Sequence, residues 1–236
     1  METTGPLPLF QGNAYNREEM TMNHLRTRIW SALLSTALLL SLLPMGASAA
    51  GSVLDQYNDL SPDAWYAQAV EYVLENGIMS GTSQHTFSPN ATVTRGMAVQ
   101  MIYAMAGKPN IGSHTYEDVR HGDWYYDAVA WATNKQIMYG YQEGRFVPGD
   151  PITREQLALV LYNYALSFRY DIRPQADLST FADGNSVSSW AEEAMIWSVG
   201  SGLLSGREGN RLNPGSSATR AEVAQIMMKF IQNVVD

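Results

Sequence analysis

Three arginines stand where helices are expected to begin, and they are the residues of this sequence best suited to bind an anion. Each follows a threonine, as Arg95, Arg154 and Arg220. A cation in the first turn opposes the helix dipole and costs about 0.3 kcal/mol or more. Free amides at a helix amino terminus attract anions, and a guanidinium adds a bidentate bond to a carboxylate or phosphate. We therefore predict three sites for an acidic ligand.

The alternative for these arginines is an internal ion pair. An aspartate recurs early in each copy of the pattern and could pair with an arginine of its own or a neighbouring copy. These aspartates are Asp59, Asp118 and Asp183. The sequence leaves both possibilities open.

A tryptophan precedes each arginine by 30 residues, at Trp65, Trp124 and Trp190. A tryptophan at a helix start more often packs into the core than against a sugar. Here it recurs together with an arginine and with a glycine that lets a ligand approach the backbone closely. These glycines are Gly81, Gly140 and Gly206. The combination favours a sugar-binding role for the three tryptophans.

The same landmarks show that the chain contains three copies of one unit, because phenylalanine or leucine and then proline also recur at fixed positions. Apolar spacing in each unit predicts helix, loop, helix, so the predicted class is all-α. We place the repeats at 57–110, 111–170 and 171–236. One helical hairpin of about 50 residues buries too little surface to be stable alone, so the three should form one domain.

The pattern also predicts where these helices begin and end. First helices should stop near Asn76-Gly77, Lys135-Gln136 and Ser201-Gly202, where glycine accepts left-handed angles. Second helices should carry one apolar stripe and begin at the threonine, with a capping box in the second and third repeats only. Since the threonine caps would remain, we expect the arginines to be replaceable by alanine without loss of the fold.

The amino-terminal segment resembles a secretory signal peptide. His24, Arg26 and Arg28 precede an apolar run over 29–43, and the small residues of 47–49 follow it. We assign 1–49 to the signal, with translation starting at Met20 or Met22, and 50–56 to a short linker. A membrane anchor is the weaker alternative because the run is shorter than the ~20 residues that a spanning helix needs.

Composition excludes several functions. The net charge of −8 argues against nucleic acid, which requires clustered basic residues. Zero cysteines and four scattered histidines give no pattern for a metal site, and nothing indicates a cofactor. Every repeated residue has a place in the binding pattern or a cap, so no stretch remains for an active site. We therefore predict that the chain is not an enzyme.

The chain resembles a triple S-layer homology domain of bacterial cell-surface proteins. The resemblance covers about 57–236 and rests on segments such as Tyr116-Glu117-Asp118-Val119, Trp124-Tyr125 and Ile152-Thr153-Arg154-Glu155. It implies a pseudo-threefold arrangement around a central helical bundle, with ligand grooves between neighbouring repeats. It also implies a secreted protein at the cell wall that binds a secondary cell-wall polysaccharide, commonly pyruvylated and therefore acidic.

Carried onto this sequence, the resemblance assigns the arginines to the acid and the recurring tryptophans, aspartates and glycines to the groove walls. Copy one departs from the pattern at Gly96 and Met97, and copy three at Leu212, so the grooves are not expected to bind equally. Two alternative functions stay open. One is a structural module that docks onto another surface protein or peptidoglycan, and the other, more distant, is a wall-active hydrolase.

Overall fold

A computed structural model describes residues 51–110, 112–141 and 144–236. The predicted signal peptide at 1–49 lies outside these residues. Residues 50–236 form one compact unit, and within the predicted linker Val53–Gln56 forms a 3-10 helix with Leu54 buried. The boundaries between the signal, the linker and the repeats stay predictions.

Six α-helices occur in three consecutive pairs within the described residues. Their bounds are α1 Ala67–Glu75, α2 Arg95–Met105, α3 Tyr126–Asn134, α4 Arg154–Phe168, α5 Glu192–Gly200 and α6 Arg220–Phe230. Short 3-10 helices lie at Leu178–Thr180 and Gly184–Ser186, and one π-helical turn lies at Ile231–Val235. This part of the chain contains isolated β-bridges and no strand. The all-α class predicted from the apolar spacing is confirmed.

The first helix of each pair ends where the sequence predicted. The residue after each C-cap adopts a left-handed backbone, with φ of 64° at Gly77, 60° at Gln136 and 72° at Gly202. Glycine does this without steric cost, whereas Gln136 carries a penalty of about 1–2 kcal/mol. The turn therefore recurs in the second repeat without the residue that suits it best.

The second helices begin at the predicted threonine caps. Thr153 and Thr219 each accept a bond from the third helical amide, and Gln156 and Glu222 return a bond to the cap amide. Thr94 accepts from the Met97 amide at 3.3 Å without a reciprocal bond. The capping boxes in the second and third repeats are confirmed.

The second helices are buried on more than the single stripe that the sequence predicted. In α2 the stripe residues Ala98, Met101 and Ile102 are buried, and so are Val99 and Tyr103, which lie outside that stripe. A helix that is apolar on most sides belongs inside the protein. The second helices therefore form the interior, and the three repeats share one core.

Packing between helices proceeds from each repeat to the next and returns to the first. The second helix of one repeat packs on the first helix of the following repeat, as α2 on α3, α4 on α5 and α6 on α1. Three backbone bonds join the starts of the second helices in a closed ring: Val93 N–H to the Ala218 carbonyl, Ala218 N–H to Ile152 and Ile152 N–H to Val93. Pseudo-threefold symmetry about a central bundle stays a prediction, and this cyclic order is consistent with it.

Across the described residues, no helix combines the length and the apolar character required to cross a membrane.

One histidine in the second repeat makes contacts that favour its neutral form. His114 Nδ1 accepts from the Tyr116 N–H at 3.1 Å, and its ring packs against Tyr116 and Tyr126. His114 Nε2 is buried and has no partner among the described residues. Tyr116 in turn accepts a bond from the Gly140 N–H at 2.8 Å through its hydroxyl. A proton on Nδ1 would therefore disturb a segment that packs on the loop of the repeat.

Burial lowers the pKa of His114, against the opposing effect of the Asp118 carboxylate. Its stabilising contribution is thus complete above the unfolded pKa of about 6.5 and is lost as the pH falls through the folded-state pKa. We expect the free energy of unfolding in urea to fall between pH 7.5 and pH 5 by more in the native chain than in His114→Asn. Replacement of exposed His85 by Asn is the matched control, and an equal fall in all three proteins would contradict the prediction.

Candidate functional site

Each of the three arginines reaches the loop of another repeat. Arg95 Nε donates to the Phe146 carbonyl at 3.1 Å, and Arg95 Nη2 donates to the Tyr139 carbonyl at 2.7 Å. Equivalent bonds join Arg154 to Leu212 and Ser205, and Arg220 to Phe87 and Ser80. The arginines therefore connect repeat one to two, two to three and three to one.

The three aspartates hold the same loops by accepting two backbone amides each. Asp59 accepts the Phe87 N–H at 2.8 Å through Oδ1 and the Ser88 N–H at 2.6 Å through Oδ2. Asp118 holds Phe146 and Val147 in the same way, and Asp183 holds Leu212 and Asn213. The Phe87 carbonyl and the Ser88 N–H belong to one peptide group. In every repeat that peptide group lies between a guanidinium and a carboxylate.

These loops need such support because their backbone is strained. The residue after each pinned carbonyl has a positive φ, which is 60° at Ser88, 55° at Val147 and 49° at Asn213. Positive φ is uncommon outside glycine and is a genuine outlier for a β-branched residue such as Val147. The paired bonds from the aspartate and the arginine stabilise the loop in this conformation.

The helix amides expected to attract an anion are already occupied, so that part of the prediction is wrong. Arg95 N–H donates to the Asp150 carbonyl at 2.8 Å, and Gly96 N–H donates to the Pro148 carbonyl at 2.9 Å. Equivalent bonds run from Arg154 and Glu155 to the third-repeat loop, and from Arg220 and Ala221 to the first-repeat loop. With the threonine holding the next amide, the first turn binds protein.

The alternative of a direct ion pair is not found either. The three side chains form no ion pair within the described residues, and only 4–5% of each arginine is exposed. Burial lowers the pKa of each guanidinium, and nearby acids oppose that effect: Asp150 at Arg95, Asp183 at Arg154 and Asp59 at Arg220. The expectation that alanine could replace these arginines without loss of the fold stays a prediction, and the buried carbonyls that would lose their donors argue against it.

The two bonds from each arginine to the neighbouring loop use Nε and Nη2, so the third guanidinium nitrogen, Nη1, takes no part in them. In Arg154 and Arg220, Nη1 makes no hydrogen bond to the described residues, and it is not one of the fully buried polar atoms without a partner. It therefore keeps access to solvent at the junction between two repeats. Nη1 carries two N–H groups, and either can donate to an oxygen of a carboxylate.

The three tryptophans lie on the surface. Trp65 is 64% exposed, Trp124 60% and Trp190 52%, although most of the other aromatic side chains are buried or half-buried. Each stands two residues before the start of a first helix. The aromatic residues deeper in these helices lie in or near the core, since Trp131 and Trp197 are buried and Tyr72 is half-buried.

Contacts between the repeats join each first helix, or the tryptophan turn before it, to a helix that begins with an arginine. A Cβ atom on Gly96, next to Arg95, would lie 3.2 Å from Tyr125 Cδ1, the ring that follows Trp124. In the next repeat, Glu155 beside Arg154 accepts bonds from the backbone and hydroxyl of Ser188, two residues before Trp190. The packing of α6 on α1 brings the helix that begins at Arg220 against the helix that follows Trp65. We call these three places the inter-repeat sites.

The recurring glycines serve the fold in a way that the sequence did not indicate. A Cβ atom on Gly81 or Gly140 would lie 2.5 Å from Cε1 of Tyr57 or Tyr116, and one on Gly206 would lie 3.2 Å from Phe181 Cε1. The glycines thus allow an aromatic ring of their own repeat to pack on the backbone, since a side chain would collide with the ring at Gly81 and Gly140 and would crowd it at Gly206. Contact of these glycines with a ligand stays a prediction.

Sequence reasoning missed the side chains that cover the arginines. Tyr141 packs on Arg95, with 4.3 Å from Cζ to the ring centroid. Burial lowers the pKa of Arg154, and the positive charge of Arg207 lowers it further. Tyr139 and Tyr141 are 50% and 43% exposed. These residues differ between the repeats, so a search for recurring residues could not find them, although each lies at a fixed distance from its tryptophan.

The sequence matches the S-layer homology domain at residues 56–98, 115–158 and 180–224, which together make up more than half of the chain. The chain belongs to the S-layer homology domain family. Each matched segment runs from before the pinning aspartate to the first turns of the second helix, and so includes the aspartate that holds its own loop and the arginine that reaches the loop of another repeat. The resemblance inferred from the sequence is confirmed for all three repeats.

Similar S-layer homology sequences occur in much larger proteins. The chain is 29% identical over 211 residues to the Surface-layer 125 kDa protein of Lysinibacillus sphaericus, covering 88% of this chain and 17% of that protein. It is 31% identical over 179 residues to the amylopullulanase of Thermoanaerobacterium thermosulfurigenes, covering 75% and 9%. The cellulosome-anchoring protein of Acetivibrio thermocellus is 24% identical over 151 residues, covering 62% and 33%. The chain thus spans a third or less of each relative.

Replacement of an arginine tests its role in joining the repeats. We expect Arg154→Ala to lower the free energy of unfolding by about 2–3 kcal/mol, because two charge-assisted bonds are lost and two carbonyls lose their donor. Arg154→Lys should recover only part of this, since an ammonium cannot reproduce the forked geometry. Urea unfolding gives the values, and exposed Arg173→Ala is the control. A change below about 0.5 kcal/mol in Arg154→Ala would show that the two bonds do not support the fold.

Proposed function

We propose that this chain attaches non-covalently to the bacterial cell wall by binding an acidic secondary cell-wall polysaccharide at the inter-repeat sites. The acidic group is a carboxylate, such as that of a pyruvyl ketal on an amino sugar. In this proposal the protein is secreted, acts at the cell surface and has no catalytic activity. Family membership supports attachment, and the acid follows from the chemistry of the sites.

The observation that carries the proposal is the pairing of a mostly buried guanidinium with an exposed tryptophan at each junction. Two nitrogens of the guanidinium hold the neighbouring repeat, and Nη1 of Arg154 and Arg220 keeps a donor for an outside acceptor. An exposed tryptophan offers an apolar face to the carbon-bound hydrogens of a sugar ring. Ligand sites combine apolar surface with a few fixed polar groups in this way.

The names of two relatives agree with attachment. These are an S-layer protein of Bacillus thuringiensis and the cellulosome-anchoring protein. The match to the S-layer protein covers 73% of this chain and 21% of that protein. The relatives named as enzymes are matched over a small part of their length, 9% for the amylopullulanase. We infer that the shared part supplies attachment and that the activity in the name belongs to the rest of that protein.

Three sites on one rigid unit suit a polymer of repeated sugars. Once one site is occupied, a second sugar of the same strand is present at a high effective concentration for the next site. Sites that are individually weak can therefore hold the protein on the wall. A polysaccharide attached to peptidoglycan supplies that repetition.

The first test uses isolated cell-wall sacculi of the source bacterium, with and without chemical removal of the secondary polysaccharide. We expect the chain to sediment with intact walls and to remain in the supernatant with stripped walls, because the acidic sugar is the ligand. The bound fraction is measured on a gel. Binding that survives stripping would identify peptidoglycan or a wall protein as the partner and refute the proposal.

The second test uses the tryptophans, because their exposure separates binding from folding. We expect Trp65→Ala, Trp124→Ala and Trp190→Ala each to weaken binding to intact walls and the triple variant to abolish it, with thermal unfolding nearly unchanged. Loss of one stacked aromatic contact should cost about 1–2 kcal/mol, or roughly tenfold in affinity. Leu166→Ala is the matched control, since Leu166 is 46% exposed and lies on α4 away from the repeated pattern. Full binding by the triple variant would exclude the tryptophans from the site.

A further inference from the structure

The three inter-repeat sites differ at one position. The residue 17 places after each tryptophan is Thr82 in the first repeat, Tyr141 in the second and Arg207 in the third. It lies two residues after the carbonyl that accepts the arginine Nη2 bond. We call it the cover position, because in the second repeat its side chain lies over the guanidinium of Arg95.

At Arg95 the cover is an aromatic ring. The guanidinium lies between two rings, with Cζ 4.3 Å from the centroid of Tyr141 and 4.9 Å from that of Phe146. The Tyr141 hydroxyl accepts a bond from Gln156 Nε2 at 3.1 Å, which fixes the ring over the arginine. An incoming carboxylate would have to displace Tyr141 and give up a cation–π contact.

At Arg154 the cover is an ion pair. Arg207 donates to Glu222 through Nε at 2.8 Å and through Nη2 at 2.5 Å. Arg207 lowers the pKa of Arg154 and Glu222 raises it, so both charges act on this guanidinium. The Arg207–Glu222 pair carries no net charge, so the attraction that Arg207 adds for a ligand carboxylate is offset by repulsion from Glu222, with which the ligand would have to compete.

At Arg220 the cover is absent within the described residues. The guanidinium packs on one ring, Phe87, with Cζ 4.5 Å from its centroid. The Thr82 hydroxyl is engaged within its own loop, at 2.8 Å from Ser88 Oγ and 3.1 Å from the Thr86 carbonyl. Threonine is also too short to cover a guanidinium face. This arginine therefore offers Nη1 and one face to a ligand.

We propose that the cover position decides which inter-repeat site accepts the acidic group, and that the site of Arg220, between the third and first repeats, is the one that binds it. The inference rests on the proposed function, because it assigns the carboxylate of that polysaccharide to one of three sites. The sites of Arg95 and Arg154 then contact the neutral parts of the polymer through Trp124 and Trp190.

An exchange of cover residues tests the inference. The probe is the secondary polysaccharide released from isolated walls, titrated into the full chain by calorimetry. We expect Thr82→Tyr to weaken binding about tenfold, because the new ring covers Arg220 and removes one charge-assisted bond. Thr82→Val is the matched control: it keeps the size, removes the hydroxyl and should bind within about twofold of the native chain. Tyr141→Thr should bind at least as tightly as the native chain.

The other possible outcomes distinguish failure of this inference from failure of the proposed function. Native affinity in Thr82→Tyr, with native thermal unfolding, would overturn the inference and leave the proposed function standing. A weaker Tyr141→Thr would also overturn it, because Tyr141 would then be a contact for the sugar. Failure of the native chain to bind the released polysaccharide would refute the proposed function and this inference together. If Thr82→Tyr unfolds at a lower temperature, Thr82→Leu repeats the test with a smaller cover.

Discussion

The structure depends on one peptide group per repeat that lies between a guanidinium and a carboxylate. Arg220 donates to its carbonyl side and Asp59 accepts from its amide side, and the same holds at the other two junctions. A buried arginine without a partner would be costly, since transfer of a charge from water is expensive unless it is hydrogen-bonded. Here the guanidinium bonds to the carbonyl of a peptide group, and the N–H of the same peptide group bonds to an aspartate. Because the arginine comes from another repeat, no repeat can satisfy its own loop, and the three must close on one another.

This arrangement makes the inter-repeat sites a product of folding. Nε and Nη2 of each arginine are fixed by backbone carbonyls, so the position of the third nitrogen is set by the packing of two repeats. A site held by fixed donors loses little conformational entropy when a ligand binds. The same bonds explain why an arginine is tolerated in the first turn of a helix, because its charge is directed at the carbonyls of the neighbouring loop. The free energy gained from these hydrogen bonds exceeds the few tenths of a kcal/mol that the helix dipole costs.

The sequence predicted what depends on nearby residues. Caps at Thr153 and Thr219, helix ends before Gly77 and Gly202, and the buried stripes are decided within a few positions, and the structure has them as predicted. The partners of the arginines were beyond such reasoning, since Arg220 bonds to residues 133 and 140 positions away. The prediction of free helix amides was wrong for the same reason, because the carbonyls that accept their bonds lie in another repeat. The glycines recur to admit an aromatic ring, which only the packed structure reveals.

Comparison of the three copies within one chain separates two kinds of position. Arginine, aspartate and threonine are identical in all three copies because a change at any of them would leave a buried group or a strained loop without its partner. The cover position varies as Thr82, Tyr141 and Arg207 because its contacts change with it: Gln156 with the tyrosine, and Glu222 and the Ser217 carbonyl with the arginine. The shared positions therefore build one scaffold three times, while the variable one makes the three sites chemically different. A search for recurrence finds the scaffold, and the differences in ligand preference have to be sought where recurrence fails.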